Sequence, residues 1–313
     1  MTCSLFMPIS TPPKLRHTLL YGQSLRSEQP SASYPNRRAS SSPVVRAAAA
    51  LPNDKELVLR AFQQRRALKI IAGLHNFDKE NVAAVVTAAD KGGATHVDIA
   101  CDSELVKLAT CLTSLPICVS SVDPSTFAAA VHAGAQMLEI GNYDSFYDMG
   151  ITFSPKEILN LTKQTRRLLP SVTLSVTVPH NISLPDQIEL AEMLEQEGAD
   201  VIQTEGGKCA IPSDSGVLGL IQKATPTLAS AYCLSRAVRI PVMCSSGLSA
   251  VTVPMAIAAG AAGVGVGSAI NKLNDVVAMI AAVRSIANAL NSPETTMTRS
   301  SISGKQMLAT DVL

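Results

Sequence analysis

Eight strand-like apolar runs alternate with helix-like runs between residues 68 and 290, and this alternation constrains the fold more than any other feature. Such alternation predicts an α/β protein in which helices cover a parallel sheet. Eight units in 223 residues favour a single closed (β/α)8 TIM barrel over an open doubly wound sheet. The predicted strands are residues 68–74, 95–100, 116–122, 137–143, 173–179, 201–206, 241–247 and 263–270.

The first 46 residues have the composition of a transit peptide. They contain six basic side chains, nine serines and a single acid, Glu28, without lasting strand or helix periodicity. We predict a chloroplast transit peptide over residues 1–46, a linker and N-terminal helix over 47–67, the barrel over 68–290 and a loose tail over 291–313. The alternative for residues 1–46 is a disordered segment that the mature protein keeps.

Charge and spacing exclude several classes of partner. Without residues 1–46, the totals of 26 basic and 25 acidic side chains fall to 20 and 24, a net charge of −4, which argues against nucleic acid. The richest apolar stretch, 251–270, is broken by Pro254 and several glycines, so we predict no membrane span. Because no H-E-x-x-H, D-x-D-x-D or Cys/His cluster is present, we predict no permanent metal site, although Mg²⁺ carried by a phosphate stays open.

An internal repeat predicts which side chains face the barrel interior. Four predicted helices end in Gly-Ala immediately before an even-numbered strand, at residues 93, 134, 198 and 260. Glycine is the expected helix stop there, because it adopts positive φ freely. Side chains alternate along a strand, so aligning the repeats predicts one interior row. That row reads Asp98, Glu139, Gln203 and Gly265.

Two carboxylates in that row are unusual, because barrel interiors are normally filled with branched apolar side chains. A buried carboxylate that lacks a partner is costly, so Asp98 and Glu139 need a cation. Lys69 of the first predicted strand is the nearest candidate along the sequence. We therefore predict that these three residues belong to the chemistry of the site rather than to its packing.

The loops after predicted strands seven and eight are rich in glycine and serine, and barrels commonly hold phosphate at that place. Backbone N–H groups at such turns point at an anion, and the missing Cβ lets its oxygens approach. The alternative is that the glycines only relieve crowding where the barrel closes. The predicted phosphate-binding residues in these loops are Ser245, Ser246, Gly247, Gly265, Gly267 and Ser268.

Strands five and six end in further candidates. His180 follows strand five, and strand termini at this face carry catalytic residues in barrels, so it is the histidine we predict for proton transfer. After strand six come Glu205, a predicted catalytic acid, the flexible pair Gly206 and Gly207, predicted to contact a cofactor, and Lys208. For Lys208, a Schiff base, a phosphate contact, a flavin contact and a solvated loop position all stay open.

Taken together, these segments resemble the uncharacterised hypothetical chloroplast reading frame twenty-three family of plastids, algae and cyanobacteria. The resemblance covers about residues 68–273. It implies an aldolase-type barrel in or descended from a photosynthetic compartment, but it implies no reaction. Together with the predicted transit peptide, it leads us to predict a location in the chloroplast stroma. The segments that carry it are Ala72-Gly73-Leu74, Asn76-Phe77-Asp78, Val97-Asp98-Ile99-Ala100, Glu139-Ile140-Gly141-Asn142, residues 174–180, Gln203-Thr204-Glu205-Gly206-Gly207, Pro226-Thr227-Leu228-Ala229 and residues 263–268.

A weaker similarity joins residues 204–270 to flavin-dependent barrel oxidoreductases, so flavin mononucleotide is a candidate cofactor. The sequence therefore favours an enzyme that acts on or with a phosphorylated small molecule, by flavin oxidoreduction or by lyase or aldolase chemistry. The alternative is a barrel that senses a phosphorylated ligand or serves as an assembly subunit, because one fold hosts many functions.

Overall fold

The computed structural model describes residues 54–206 and 210–310, with side chains over 55–206 and 210–301. Eight parallel strands close into a barrel in sequence order, with β8 pairing back onto β1. This confirms the predicted TIM barrel. The strands are β1 Ala67–Ile71, β2 His96–Ala100, β3 Ile117–Ser121, β4 Met137–Ile140, β5 Thr173–Val178, β6 Val201–Thr204, β7 Val242–Ser245 and β8 Gly263–Val266.

Helix α1 precedes β1, and the other helices follow the strands. They are α1 Asp54–Gln63, α2 Lys79–Gly92, α3 Ser103–Leu112, α4 Pro124–Ala133, α5 Asp144–Tyr147, α6 Pro155–Leu168, α7 Leu184–Gln196, α8 Gly216–Ala237, α9 Val253–Ala259, α10 Ser268–Asn271, α11 Val276–Leu290 and α12 Pro293–Thr310. Asp102 is the N-cap of α3, where its side chain accepts from the backbone N–H groups of Glu104 and Leu105. Within the described residues, no single helix is long and apolar enough to cross a membrane, whereas α11 and α12, bent by 46° between them, pass that test together by length and composition alone.

The Gly-Ala repeats have the predicted geometry. Gly93, Gly134, Gly198 and Gly260 all have φ between 90° and 120°, in the region that favours glycine, and each ends a helix before an even-numbered strand. Val97 and Leu138, each one residue before a member of the predicted interior row, are fully buried in the main core between strands and helices. The repeat therefore places the intervening row inside the barrel, as predicted.

A second, smaller core fills the amino-terminal end of the barrel. Helix α1 packs Val58 and Phe62 against side chains from five strands, and all of them are buried. The strand residues are Ala67, Cys118, Met137, Val201, Met243 and, just before β8, Ala262. This end of the barrel is thus closed by apolar packing.

Two expectations about chain boundaries fail. The apolar run 263–270 is a strand only to Val266, because Gly267 turns the chain and α10 begins at Ser268. Within the predicted loose tail over 291–313, residues 293–310 form the helix α12. Thr295 of α12 is 1% exposed, and its Oγ1 donates to the Ala289 carbonyl at 3.0 Å. The predicted transit peptide, residues 1–46, lies outside the described residues.

Candidate functional site

The middle of the barrel interior holds a buried ion pair. Lys69 Nζ lies 3.2 Å from Glu139 Oε2, and both side chains are fully buried. The other oxygen, Glu139 Oε1, accepts from Thr177 Oγ1 at 2.5 Å, and Gln203 Nε2 donates to Thr177 Oγ1 at 3.1 Å. Lys69 and Glu139 are therefore paired as the sequence predicts, and Gln203 of the same interior row extends the network.

Asp98 lies in the same interior and is also fully buried. Ser120 Oγ donates to Asp98 Oδ1 at 2.5 Å, and Asn142 Nδ2 lies 3.3 Å from Asp98 Oδ2 and 2.8 Å from Ser120 Oγ. Burial raises the pKa of Asp98 to about 6, although Lys69 and Ser120 act against that rise. Asp98 is thus a buried acid that titrates near neutral pH.

The neighbouring basic groups respond to the same surroundings in opposite ways. Burial works to lower the pKa of Lys69, but the carboxylates of Glu139 and Asp98 outweigh it, so the pKa is raised and the amine stays protonated. Burial, together with the positive charge of Lys69, lowers the pKa of His96 to about 3. The interior therefore holds a neutral histidine and a permanent ammonium group.

A cavity of about 460 Å³ opens at the carboxyl ends of the strands. That volume is within the range of small-molecule sites. It lies between the loops after β1, β4, β7 and β8. Its polar and glycine lining consists of Gly73, Asn142, Asp144, Ser145, Lys223, Ser245, Ser246, Gly247, Gly267, Ser268, Asn271 and Lys272.

Five of the predicted phosphate-loop residues line this one cavity: Ser245, Ser246, Gly247, Gly267 and Ser268. Gly265 lies inside β8 and does not line the cavity; a Cβ added there would meet Ser245 Oγ at 2.7 Å. Gly206 has φ +146° and packs against Pro226 and Thr227 instead of lining the cavity. Gly207 and Lys208 lie outside the described residues.

Backbone strain is concentrated at the cavity. Among the residues that the structure describes, three other than glycine have positive φ, and two of them, Asn142 (φ 61°) and Ser246 (φ 79°), line it. Such conformations cost about 1–3 kcal/mol each and persist where the surrounding structure enforces them, often at functional sites. The surrounding structure therefore holds the loops after β4 and β7 in backbone conformations that residues other than glycine rarely adopt.

A second polar cluster lies at the ends of β5 and β6. Glu205 Oε1 is 3.0 Å from both the backbone N and the Nδ1 of His180, and it also accepts from the Tyr147 hydroxyl. The hydrogen bond with Glu205 raises the pKa of His180, and burial opposes it. The two predicted catalytic residues His180 and Glu205 are thus in direct contact, and Tyr147, which sequence reasoning missed, holds the same carboxylate.

Asp144 connects this cluster to the cavity. It lines the cavity, its Oδ1 lies 3.9 Å from His180 Nδ1, and its Oδ2 accepts from Ser246 Oγ at 3.4 Å. Asp144 is the first helical residue of α5, whose N-cap is Tyr143. One ligand atom each from Asp144, His180 and Glu205 lie within 4.8 Å of one another, a spacing that a metal ion can bridge.

A family model described as "Protein of unknown function (DUF561)" matches residues 53–296. The chain belongs to this DUF561 family. "Uncharacterized protein ycf23" of Cyanophora paradoxa is 41% identical over 230 residues, covering 73% of this chain and 94% of the relative. The protein of that name from Porphyra purpurea is 38% identical over 231 residues, 74% of this chain and 87% of the relative. Relatives in a glaucophyte and a red alga indicate a plastid-related family, in agreement with the resemblance read from the sequence.

Solved structures agree on the fold. (S)-3-O-geranylgeranylglyceryl phosphate synthase from Thermoplasma acidophilum, in complex with sn-glycerol-1-phosphate, superposes with a TM-score of 0.52 at 11% identity. The match covers 76% of this chain and 98% of that one. At this identity the likeness establishes the fold of the DUF561 chain and nothing about its reaction.

Proposed function

We propose that this DUF561 barrel is an enzyme that binds a phosphorylated small molecule, or flavin mononucleotide, by its phosphate in the cavity between the loops after β7 and β8. One observation carries the proposal. The cavity that gathers five predicted phosphate-loop residues is also lined by Asn142, which contacts Asp98, and by Asp144, which faces His180. A ligand held there would meet acid–base groups on two sides.

Phosphate binding is supported by the chemistry of the loops. Gly247 and Gly267 bring backbone to the cavity without side chains, and Gly267 begins the turn into α10, where first-turn N–H groups lack helical acceptors. Lys223 and Lys272 contribute positive charge to the lining. The solved structure of similar fold that contains sn-glycerol-1-phosphate supports this ligand class.

We assign different roles to the buried and the rim groups. Lys69 is a protonated, fixed charge that stabilises negative charge developing on the ligand, since its raised pKa makes it a poor nucleophile. Asp98 and Glu139 hold that ammonium and orient Asn142 and Thr177. His180, held by Glu205, is the proton donor or acceptor at the rim, where its side chain is 14% exposed.

Flavin oxidoreduction and lyase or aldolase chemistry remain the two competing reaction classes. A yellow protein with a flavin absorbance spectrum favours the first, and an adduct trapped on a lysine by borohydride favours the second. The competing non-catalytic function is a sensor of a phosphorylated ligand. The buried ion pair favours the enzyme, because a sensor gains stability when such a pair is replaced by apolar packing.

Calorimetric titration of the full chain tests the binding site. The titrants are inorganic phosphate, glycerol phosphate and flavin mononucleotide. In Gly267→Ala the new Cβ makes ordinary contact with Ile71 at 3.4 Å, so the fold should persist while the phosphate oxygens are kept away, and we expect affinity to fall on the order of tenfold. Lys272→Met should weaken binding as well, whereas Lys156→Met, an exposed lysine of α6, should not. Equal binding in the wild type and the three variants would show that these loops do not hold the phosphate.

We also propose that the mature protein works in the chloroplast stroma after removal of residues 1–46. The support is the Arg/Ser-rich, acid-poor composition of that segment, together with the plastid-related family. N-terminal sequencing of the protein from tissue should begin near Ala47. A sequence that begins at Met1 would contradict import with cleavage.

A further inference from the structure

We propose that Asp144, His180 and Glu205 form a site for a divalent first-row metal ion such as Mn²⁺, at the wall of the cavity. The three residues follow three successive strands, β4, β5 and β6, and the carboxyl ends of neighbouring parallel strands meet at one rim. The sequence has no spacing motif that predicts this site, because each ligand comes from a different loop.

The distances suit a metal ion. His180 Nδ1 lies 3.0 Å from Glu205 Oε1 and 3.9 Å from Asp144 Oδ1. Ligand atoms bonded at ~2.1 Å lie roughly 3.0 Å apart at neighbouring octahedral positions and roughly 3.4 Å apart in a tetrahedron. The shorter separation equals the octahedral spacing that suits Mn²⁺, and the longer one lies within about 0.5 Å of the tetrahedral spacing, so side-chain rotations complete the site. Two carboxylate oxygens and one imidazole nitrogen form a donor set for Mn²⁺ or Zn²⁺.

An independent observation on Glu205 points to a missing partner. Its side chain is 5% exposed, and Oε2 is buried without a hydrogen-bond donor, while Oε1 is contacted by His180 and Tyr147. A buried carboxylate oxygen without a partner costs about 1–3 kcal/mol or more. A metal ion would satisfy it, and the hydrogen bonds that Oε1 accepts from the Tyr147 hydroxyl and the backbone N–H of His180 would act as the outer shell that orients a metal-binding carboxylate.

The position of Asp144 supplies an entry route and a role. Asp144 lines the cavity, so an ion reaches the site from there. Asp144 also contacts Ser246, and a phosphate near Ser246 would be repelled by this carboxylate unless a cation lay between them. This last argument rests on the proposed phosphate site, but the ligand spacing and the buried Glu205 oxygen do not.

Uptake of Mn²⁺ alone, in a phosphate-free buffer, tests the site. The full chain is stripped with a chelator and titrated while electron paramagnetic resonance follows the free ion. We choose Mn²⁺ instead of Zn²⁺ as the probe ion because the chain has seven cysteines, and thiolates select Zn²⁺. We expect one saturable site per chain in the wild type and no saturable uptake in Glu205→Gln or Asp144→Asn. Asp148→Asn, at the C-cap of the same helix α5, is the matched control and should bind as the wild type does.

Tyr147→Phe keeps the result interpretable if a ligand variant fails to fold. It removes only the hydroxyl that donates to Glu205, and loss of such an outer-shell contact should weaken Mn²⁺ binding roughly 10–100-fold. Absence of saturable uptake in the wild type, or equal uptake in wild type and folded Glu205→Gln, would overturn the proposal. Because no phosphate is present, failure of the proposed phosphate site would leave this result unaffected.

Discussion

The apolar amino-terminal end of the barrel interior and the polar half beyond it are built from opposite kinds of residue. At the amino-terminal end, α1 packs on Met137, Val201 and Met243, and the contacts are apolar. Two residues further along β1 and β4, Lys69 and Glu139 form an ion pair that is equally buried. The apolar end gains stability from burial, whereas the charged groups of the polar half gain little and lose hydration. The difference supports the proposal that the polar half is retained for ligand chemistry.

The largest expected effect comes from breaking the ion pair of the polar half. Lys69→Met leaves Glu139 and Asp98 buried without their cation, which should lower the free energy of unfolding by about 3–5 kcal/mol. Urea unfolding followed by circular dichroism measures this. Adding Glu139→Gln and Asp98→Asn removes both charges and should recover much of the loss. A Lys69→Met protein as stable as the wild type would show that Lys69 does not compensate the buried charges of Glu139 and Asp98.

A cavity at the apolar end should separate stability from binding. Met137→Ala removes a fully buried side chain from the core under α1 and should cost about 2–4 kcal/mol of unfolding free energy. Because this core lies at the other end from the cavity, affinity for inorganic phosphate should stay within about twofold of the wild type. A large loss of phosphate affinity in a folded Met137→Ala protein would contradict this separation of the two ends.

The pH dependence of stability should report on Asp98. Its pKa in the folded chain is about 6 and its ordinary value is 3.8, so between these values the folded state binds the additional proton. Stability from this group is therefore present at low pH and is lost as pH rises from about 4 to about 6, on the order of 3 kcal/mol. Asp98→Asn should flatten that window. His180, whose pKa is also raised, titrates in both proteins and cancels in the difference curve.

The smallest effect tests strain at the cavity. Ser246 has φ 79°, so Ser246→Gly should stabilise the chain by up to about 1 kcal/mol while it weakens phosphate binding. Ser249→Gly is the matched control. Ser249 has no positive φ, so glycine there should lower stability. If both glycine variants are destabilised by the same amount, the backbone at Ser246 is not strained.

The regular parts of the fold could be predicted because periodicity encodes them. Alternating runs predict the barrel, and the Gly-Ala repeat predicts that Asp98 and Glu139 face inward with Lys69 as their cation. Helix α12 was missed, although Ser292-Pro293 is a helix start signal and Ser292 Oγ accepts from the Thr295 backbone N–H at 3.3 Å. Its Thr/Ser-rich residues have weak helix propensity, and its first turn is instead tied to α11 by the hydrogen bond from Thr295 Oγ1 to the Ala289 carbonyl.

The candidate site could be predicted only in part, because some of its residues lie in segments that show no periodicity. His180, Glu205 and five loop residues follow strands, so their positions could be inferred from the fold. Asp144 and Tyr147 lie on α5, a helix of four residues that is too short to show a period. Their contacts with His180 and Glu205 depend on how three loops meet, which no local pattern records.

Native mass spectrometry with an absorbance spectrum, on the full chain purified without added ligand, tests the central claim most directly. The account predicts a copurified phosphate ester or flavin mononucleotide, released on unfolding and reduced in Gly267→Ala. An empty wild-type chain that also fails to bind inorganic phosphate, glycerol phosphate or flavin mononucleotide would contradict it, and the polar half of the barrel would then need another explanation.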